Sequence, residues 1–313
     1  MSPSPLLNLP GAVAADGIDA PVAAHYGSFN TEQRLLAGGE GFVDLSHRDV
    51  VRIHGVDRLT WLHNLTTQYF EGLEAGAATQ ALILSPQGHV EHAFRGIDDG
   101  DSFLAHTEPG AGAALKDFLD SMRFMMRVEV TIETDAQAVC WRPGPDDGRY
   151  DVVPRTKLEA YGEAVGPACG LWAFEALRIA RGEPRLGFDT DHRTIPNEVG
   201  WVPEAVHLDK GCYRGQETVA RVHTLGRPPR RLTLLHLDGS ENRLPVVHAP
   251  ATANGREVGF VGSSARHFEL GPIALGLLKR GLSVDAPVEV DGLVANQEVV
   301  VDPEVGLHVR PQL

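Results

Sequence analysis

Apolar positions in the first half of the chain repeat with two different periods, and each change of period marks an element. Residues 41–53 (GFVDLSHRDVVRI) read as two short strands separated by the polar break Ser46-His47-Arg48-Asp49. Asp57 is positioned to cap a helix in which Leu59, Leu62, Leu65 and Tyr69 recur at helical spacing. Residues 81–84 and 90–95 predict paired strands around the turn Ser85-Pro86-Gln87-Gly88. A second helix is expected over 109–122, with Leu115, Phe118, Leu119 and Met122 on its buried face, and 127–132 (RVEVTI) alternates as a strand does. The order lacks the regular βαβ rhythm of a doubly wound sheet. An α+β core is predicted.

Residues 142–148 read as a loop or crossover, and a further helix is expected over 167–181, with Gly182 suited to end it. Residues 184–203 hold three prolines, two glycines and many charges, which predicts an extended segment with little regular structure. Beyond residue 230 the texture changes. Short strands are expected at 232–237, 258–263, 273–279, 288–290 and 293–301, punctuated by Asp238-Gly239, Asn254-Gly255 and Asp291-Gly292. The last two pairs are hairpin-turn signals, because Asn-Gly and Asp-Gly accept the two positive φ angles of a type I′ turn. The expected organisation is a flexible lead over 1–24, an α+β region of two subdomains over 25–229, and an antiparallel β-barrel over 230–313.

Composition narrows the functions. The net charge is −14 and the hydrophobic content 42%, so the chain can fold and has no surplus of Lys and Arg for bulk nucleic-acid binding. No apolar run is long enough to span a bilayer, and no positive charge precedes the short apolar stretch at the N-terminus, so no membrane partner is expected. Three widely spaced cysteines, Cys140, Cys169 and Cys212, cannot form a disulfide framework or a ferredoxin-type cluster pattern. A reducing, cytoplasmic setting is expected.

The densest chemistry lies in 208–222, LDKGCYRGQETVARV. Lys210, Gly211, Cys212, Tyr213, Gly215, Gln216 and Glu217 bring together a cation, a thiol, a phenol, two permissive glycines and an amide–carboxylate pair. A helix start at Gln216 favours an anion nearby, and with Lys210 at i−2 it points to a thiolate at Cys212. The alternative is that Cys212 is a small buried hydrophobe in a glycine-shaped turn. His89 and His92 lie three apart on an expected strand and so face opposite ways; no metal is expected there. Trp201, beside the motif, is the tryptophan most suited to face a flat ligand. Arg227, Arg230 and Arg231 form a local basic patch that suits either an anionic ligand tail or a solvated linker.

The octapeptide KGCYRGQE at 210–217 resembles the signature of the YgfZ family, folate-binding relatives of the glycine-cleavage T-protein (aminomethyltransferase). The likeness extends to HYGSFNTEQRLLAGGEGFVDLSHRDVVRIHG at 25–55, LSPQGHV at 84–90, EALRIARGEPRLGFD at 175–189 and VGFVGSSARHFELGPIALGLLKR at 258–280. It implies a T-protein-like three-part ring with a C-terminal antiparallel β-barrel around a folate-sized hole, and tetrahydrofolate as cofactor. It implies reduced folate as ligand, with His92, Trp201 and Arg227 as candidate contacts. Iron–sulfur proteins or their assembly factors are the implied partners, including enzymes of tRNA modification, with Cys212 as the residue of possible redox chemistry. The sequence departs from the T-protein pattern twice: His92 stands where an aspartate assists aminomethyl transfer, and Ala180 where a glutamate grips the pterin. A folate-binding protein of iron–sulfur assembly or repair is therefore expected. A tetrahydrofolate-dependent aminomethyltransferase or demethylase and a non-catalytic interaction module remain as alternatives.

Overall fold

The computed structural model describes residues 2–145, 148–202, 204–224 and 226–306. Its N-terminal stretch corrects the expected flexible lead. Strand β1 (Val13–Ala14) pairs antiparallel with β2 (Ala23–His25), and Leu6, Val22 and Ala24 are buried. Val22 and Ala24 join the cluster that holds Val43, Trp141 and Phe174. A few well-spaced apolar side chains anchor this segment although Pro, Gly and Ala dominate its composition. Helix α1 (Phe29–Ala37) follows; Ser28 caps it by accepting the Thr31 N–H at 3.4 Å.

The two strands read from residues 41–53 are β3 (Phe42–Asp44) and β4 (Asp49–His54), and the polar break between them is itself buried. Helix α2 (Arg58–Leu65) stops before Tyr69, so only its first three apolar markers lie on it. Next come β5 (Ala78–Leu84), β6 (Val90–Asp98), β7 (Ser102–Thr107), α3 (Gly112–Ser121) and β8 (Glu129–Ile132). They are followed by β9 (Gln137–Arg142), β10 (Arg149–Pro154), α4 (Leu158–Val165), β11 (Ala168–Cys169) and α5 (Leu171–Ala180). The helix expected from 167 begins later because Ala168 and Cys169 pair in parallel with Phe42 and Val43. Two sheets result, in the orders β10-β9-β3-β11 and β5-β6-β7-β4-β8. The first compact unit comprises Met1–Leu62, Phe70–Gln80 and Phe94–Leu177.

The second unit comprises His63–Tyr69, Ala81–Ala93 and Arg178–Leu313. After α5 the chain runs with little regular structure to α6 (Gln216–Thr224), then enters β12 (Arg230–Leu237), β13 (Pro250–Ala253), β14 (Arg256–His267), β15 (Gly271–Lys279), β16 (Val288–Val290) and β17 (Leu293–Val299). These six close as β12-β15-β14-β13-β16-β17. The antiparallel barrel is present. Its hairpin turns have the expected chemistry: φ is 50° at Asn254 and 71° at Gly255, and 50° at Asp291 and 76° at Gly292. Strand β13 has no counterpart in the sequence reading, because PATA is short and weakly apolar.

Candidate functional site

The motif lies in the second unit, on the loop entering α6. Gly215 takes φ +81°, and a Cβ there would lie 2.5 Å from the Ser85 carbonyl oxygen and 2.9 Å from the Gly88 Cα. Gly88 takes φ +85°, and a Cβ there would lie 2.7 Å from the Thr218 Cβ. These two glycines let the β5–β6 turn touch the first turn of α6, backbone against backbone. Helix α6 begins at Gln216 as expected, with its N–H donating to the Tyr213 carbonyl at 3.2 Å.

Lys210 meets the end of α2. Its ammonium is buried and donates to the carbonyls of His63, Thr66 (2.5 Å) and Gln68 (3.1 Å), all at or just past the end of α2. A cation there satisfies carbonyls that the helix leaves without partners. Its Nζ also lies 5.2 Å from the centre of the Tyr213 ring, and burial raises the Tyr213 hydroxyl pKa to about 12. The Lys210 ammonium is thus engaged by backbone carbonyls of the segment that ends α2.

Cys212 is exposed, whereas Cys140 and Cys169 are buried. This overturns the reading of Cys212 as a small core residue. Burial pushes the Cys169 thiol up to about 12 and raises that of Cys140 as well. Of the other motif residues, Glu217 is exposed, Gln216 is half-buried, and Gly211 has no atom within 4 Å of a would-be Cβ.

The expected folate contacts diverge. His92, on β6, is half-buried; burial lowers its pKa, the neighbouring Glu91 opposes that, and Arg214 adds to it. Glu91 itself pairs with Arg214 at 3.0 Å. Trp201 is only 3% exposed and packs as a core side chain, so it presents no free face. The basic patch also dissolves. Arg227 pairs with Glu304, Arg230 with Asp191 and Glu198, and Arg231 is buried against Thr233 and Gln297. Of the two expected ring contacts, His92 and Trp201, His92 is the one that keeps a partly open ring.

A cavity of about 380 Å³ does open in this unit, lined among others by His89, Asp191, Arg193, Glu198, Thr218 and Arg230. None of His92, Trp201 or Cys212 lines it. Arg230 forms its wall as a clamp: it donates to Asp191 at 2.7 and 3.0 Å and to Glu198 at 2.8 Å from each of two nitrogens. Burial works against ionisation of Asp191, but the hydrogen bonds and charge of Arg230 outweigh it and hold the carboxyl well below its usual range. The sequence signal for this wall is the run of charges over 189–198, within the segment whose prolines and glycines predict irregular structure.

No family model matches the chain. The structure is similar to the glycine cleavage system aminomethyltransferase T from Bartonella henselae, with a TM-score of 0.77 over 95% of this chain and 96% of that one at 17% identity. The chain has an aminomethyltransferase-like fold. Among sequences, an aminomethyltransferase of Nostoc sp. is 25% identical, matching 88% of this chain and 86% of its own length. The aminomethyltransferase of Moorella thermoacetica is 24% identical over 89% and 90%. A chloroplastic protein of Arabidopsis thaliana, named as a transferase, is 24% identical over 91% of this chain and 76% of its own.

Proposed function

We propose that this aminomethyltransferase-like chain binds a reduced folate and serves the assembly or repair of iron–sulfur proteins, without catalysing glycine-cleavage aminomethyl transfer. The observation that carries the choice is His92, which stands where the T-protein pattern has an aspartate. Its lowered pKa leaves the imidazole uncharged at neutral pH, so it offers no anion to a developing ammonium or iminium centre. Ala180 in place of the pterin-gripping glutamate points the same way. Support for a folate ligand comes from the two aminomethyltransferase relatives and from the extent of the fold match. Tetrahydrofolate would supply a one-carbon carrier; His92 would orient or accept a proton from it. The exposed Cys212 supports thiol chemistry with a protein client in a reducing compartment such as the cytoplasm.

A second reading, a tetrahydrofolate-dependent transferase or demethylase, is favoured by the transferase names of the relatives. One experiment separates the readings: calorimetric titration with tetrahydrofolate and 5-formyltetrahydrofolate, followed by an assay of aminomethyl transfer with wild type and His92→Asp. Folate binding without turnover by the wild type is the expected result. Turnover by the wild type would install the second reading. Absence of any folate binding would leave a non-catalytic interaction module.

A further inference from the structure

A second cluster, unrelated to the motif, lies entirely within the first unit. Arg95 on β6 and His106 on β7 stand directly opposite each other across the ladder, so both side chains leave the same face of that sheet. Val50 of β4 flanks His106 on its other side, and Arg48 immediately precedes β4. All three converge on Tyr150 of β10. The imidazole of His106 lies 4.8 Å from the Tyr150 ring centre, and the guanidinium carbons of Arg48 and Arg95 lie 5.4 and 5.3 Å from it.

One member of this cluster, His106, is buried with its polar atoms unpartnered. The residue is 2% exposed, and both its ring nitrogens lack a hydrogen-bond partner. Arg48 is 8% exposed, and its guanidinium meets the rings of Tyr150 and Phe174 but no hydrogen-bond acceptor among the described residues. A ring face stabilises a cation, but it leaves the in-plane N–H donors of a guanidinium unused. Buried charges and buried polar groups are ordinarily paired or hydrogen-bonded. The neighbouring Ser46 Oγ and His47 Nδ1 are buried and unpartnered too. Burial, Arg48 and Arg95 keep the His106 pKa well below its usual value, so the ring is neutral and can donate one hydrogen bond while accepting another.

We propose that Arg48, with His106 and Arg95 around Tyr150, forms a receptor for an oxyanion group, a carboxylate or a phosphate, carried by a small ligand. The planar fork of Arg48 matches two oxygens of such a group, and a neutral imidazole N–H supplies a further donor. The site does not depend on the folate reading, although the glutamate carboxylates of a folate are one source of the anion.

The test uses thermal melts of the full chain in inorganic phosphate against chloride at matched ionic strength, for wild type, Arg48→Met and Arg48→Lys. Phosphate is expected to raise the wild-type melting temperature in a saturable manner and to leave Arg48→Met unmoved, with Arg48→Lys between them. Equal responses of wild type and both variants would mean an anion held elsewhere and overturn the proposal; so would the absence of any wild-type response. Side-chain nitrogen NMR of the wild type gives a readout that needs no variant. Resonances of His106 should shift with phosphate, and fixed resonances overturn the proposal. Two further probes identify the source. If a folate tail supplies the anion, 5-formyltetrahydrofolate should bind wild type about tenfold or more tighter than 5-formyltetrahydropteroate, with the difference lost in Arg48→Met. A phosphate response lost in Arg48→Met, with no folate bound, supports the site and removes the folate reading. Folate binding that Arg48→Met leaves intact, with no phosphate response, does the reverse.

Discussion

A lysine ammonium buried in a protein has to find acceptors for its three N–H bonds, and Lys210 finds three backbone carbonyls. Lys210→Met keeps much of the stem but leaves those carbonyls buried and without a donor. It is expected to destabilise the protein by about 2–4 kcal/mol, measured by chemical denaturation. Thiol reactivity divides just as sharply. With Cys212 exposed and the other two thiols buried, with raised pKa values, an aromatic disulfide reagent near neutral pH should titrate one thiol in the native protein and three in denaturant. Two or three fast native thiols would contradict the burial of Cys140 and Cys169. At this scale the sequence identified the important residues better than their roles. The string 210–217 marked Lys210 and Cys212, but a lysine two residues from a cysteine can point anywhere, and only the fold sends its ammonium to the end of α2. Arg48 and His106 carried no local signal, because their meeting depends on the pairing of strands far apart in sequence.

The elements that had strong local chemistry were legible. Asn254-Gly255 and Asp291-Gly292 predict hairpins that form with positive φ at all four residues, and α6 begins at Gln216, where the sequence predicts a helix start. Elements held by distant partners were not. Strands β1 and β2 have little propensity of their own and persist through the burial of Val22 and Ala24. The contact between the β5–β6 turn and α6 belongs to the same class. Gly88→Ala and Gly215→Ala each add a methyl to a positive-φ residue within 3.0 Å of a fixed neighbour. Each should cost about 2–4 kcal/mol in denaturant melts, combining left-handed strain with overpacking. The Arg230 clamp gives a pH signature. The native pKa of Asp191 lies below its ordinary value, so its ionised pairing stabilises fully above the unfolded pKa of about 4 and is lost as pH falls toward the native one. The stability gap between wild type and Asp191→Asn should therefore be constant near neutrality and close progressively below about pH 4. A gap unchanged down to pH 2 would show that the clamp does not lower the Asp191 pKa on folding.

At the scale of the second unit, a buried carboxylate joins the Arg230 clamp in tying the barrel to the segment that precedes it. Asp189 pairs with Arg178 at 3.3 Å, accepts the Arg185 N–H at 2.8 Å, and accepts the Ser263 N–H and hydroxyl of β14 at 2.6 and 3.0 Å. Gly262 makes room, since a Cβ there would come within 2.2 Å of the Asp189 oxygen. The short strands and Asp-Gly and Asn-Gly turns beyond residue 230 predict the barrel itself, whereas a contact between Asp189 and Ser263, 74 residues apart, leaves no mark in local periodicity. Function is tested at the scale of the whole molecule by separating folding from chemistry. Loss of the protein is expected to lower the activity of cluster-containing enzymes under oxidative stress and to leave glycine cleavage intact; the opposite pattern would install the aminomethyltransferase reading. Cys212→Ser sharpens the test. An exposed thiol contributes little packing, so the serine variant should melt within about 0.5 kcal/mol of the wild type. If it folds so and still fails to restore cluster-enzyme activity, the defect lies in thiol chemistry. Lys210→Met cannot make that distinction, because its expected loss of stability would remove activity by itself. Full rescue by Cys212→Ser would instead free the proposed function from the thiol and leave it to ligand binding alone.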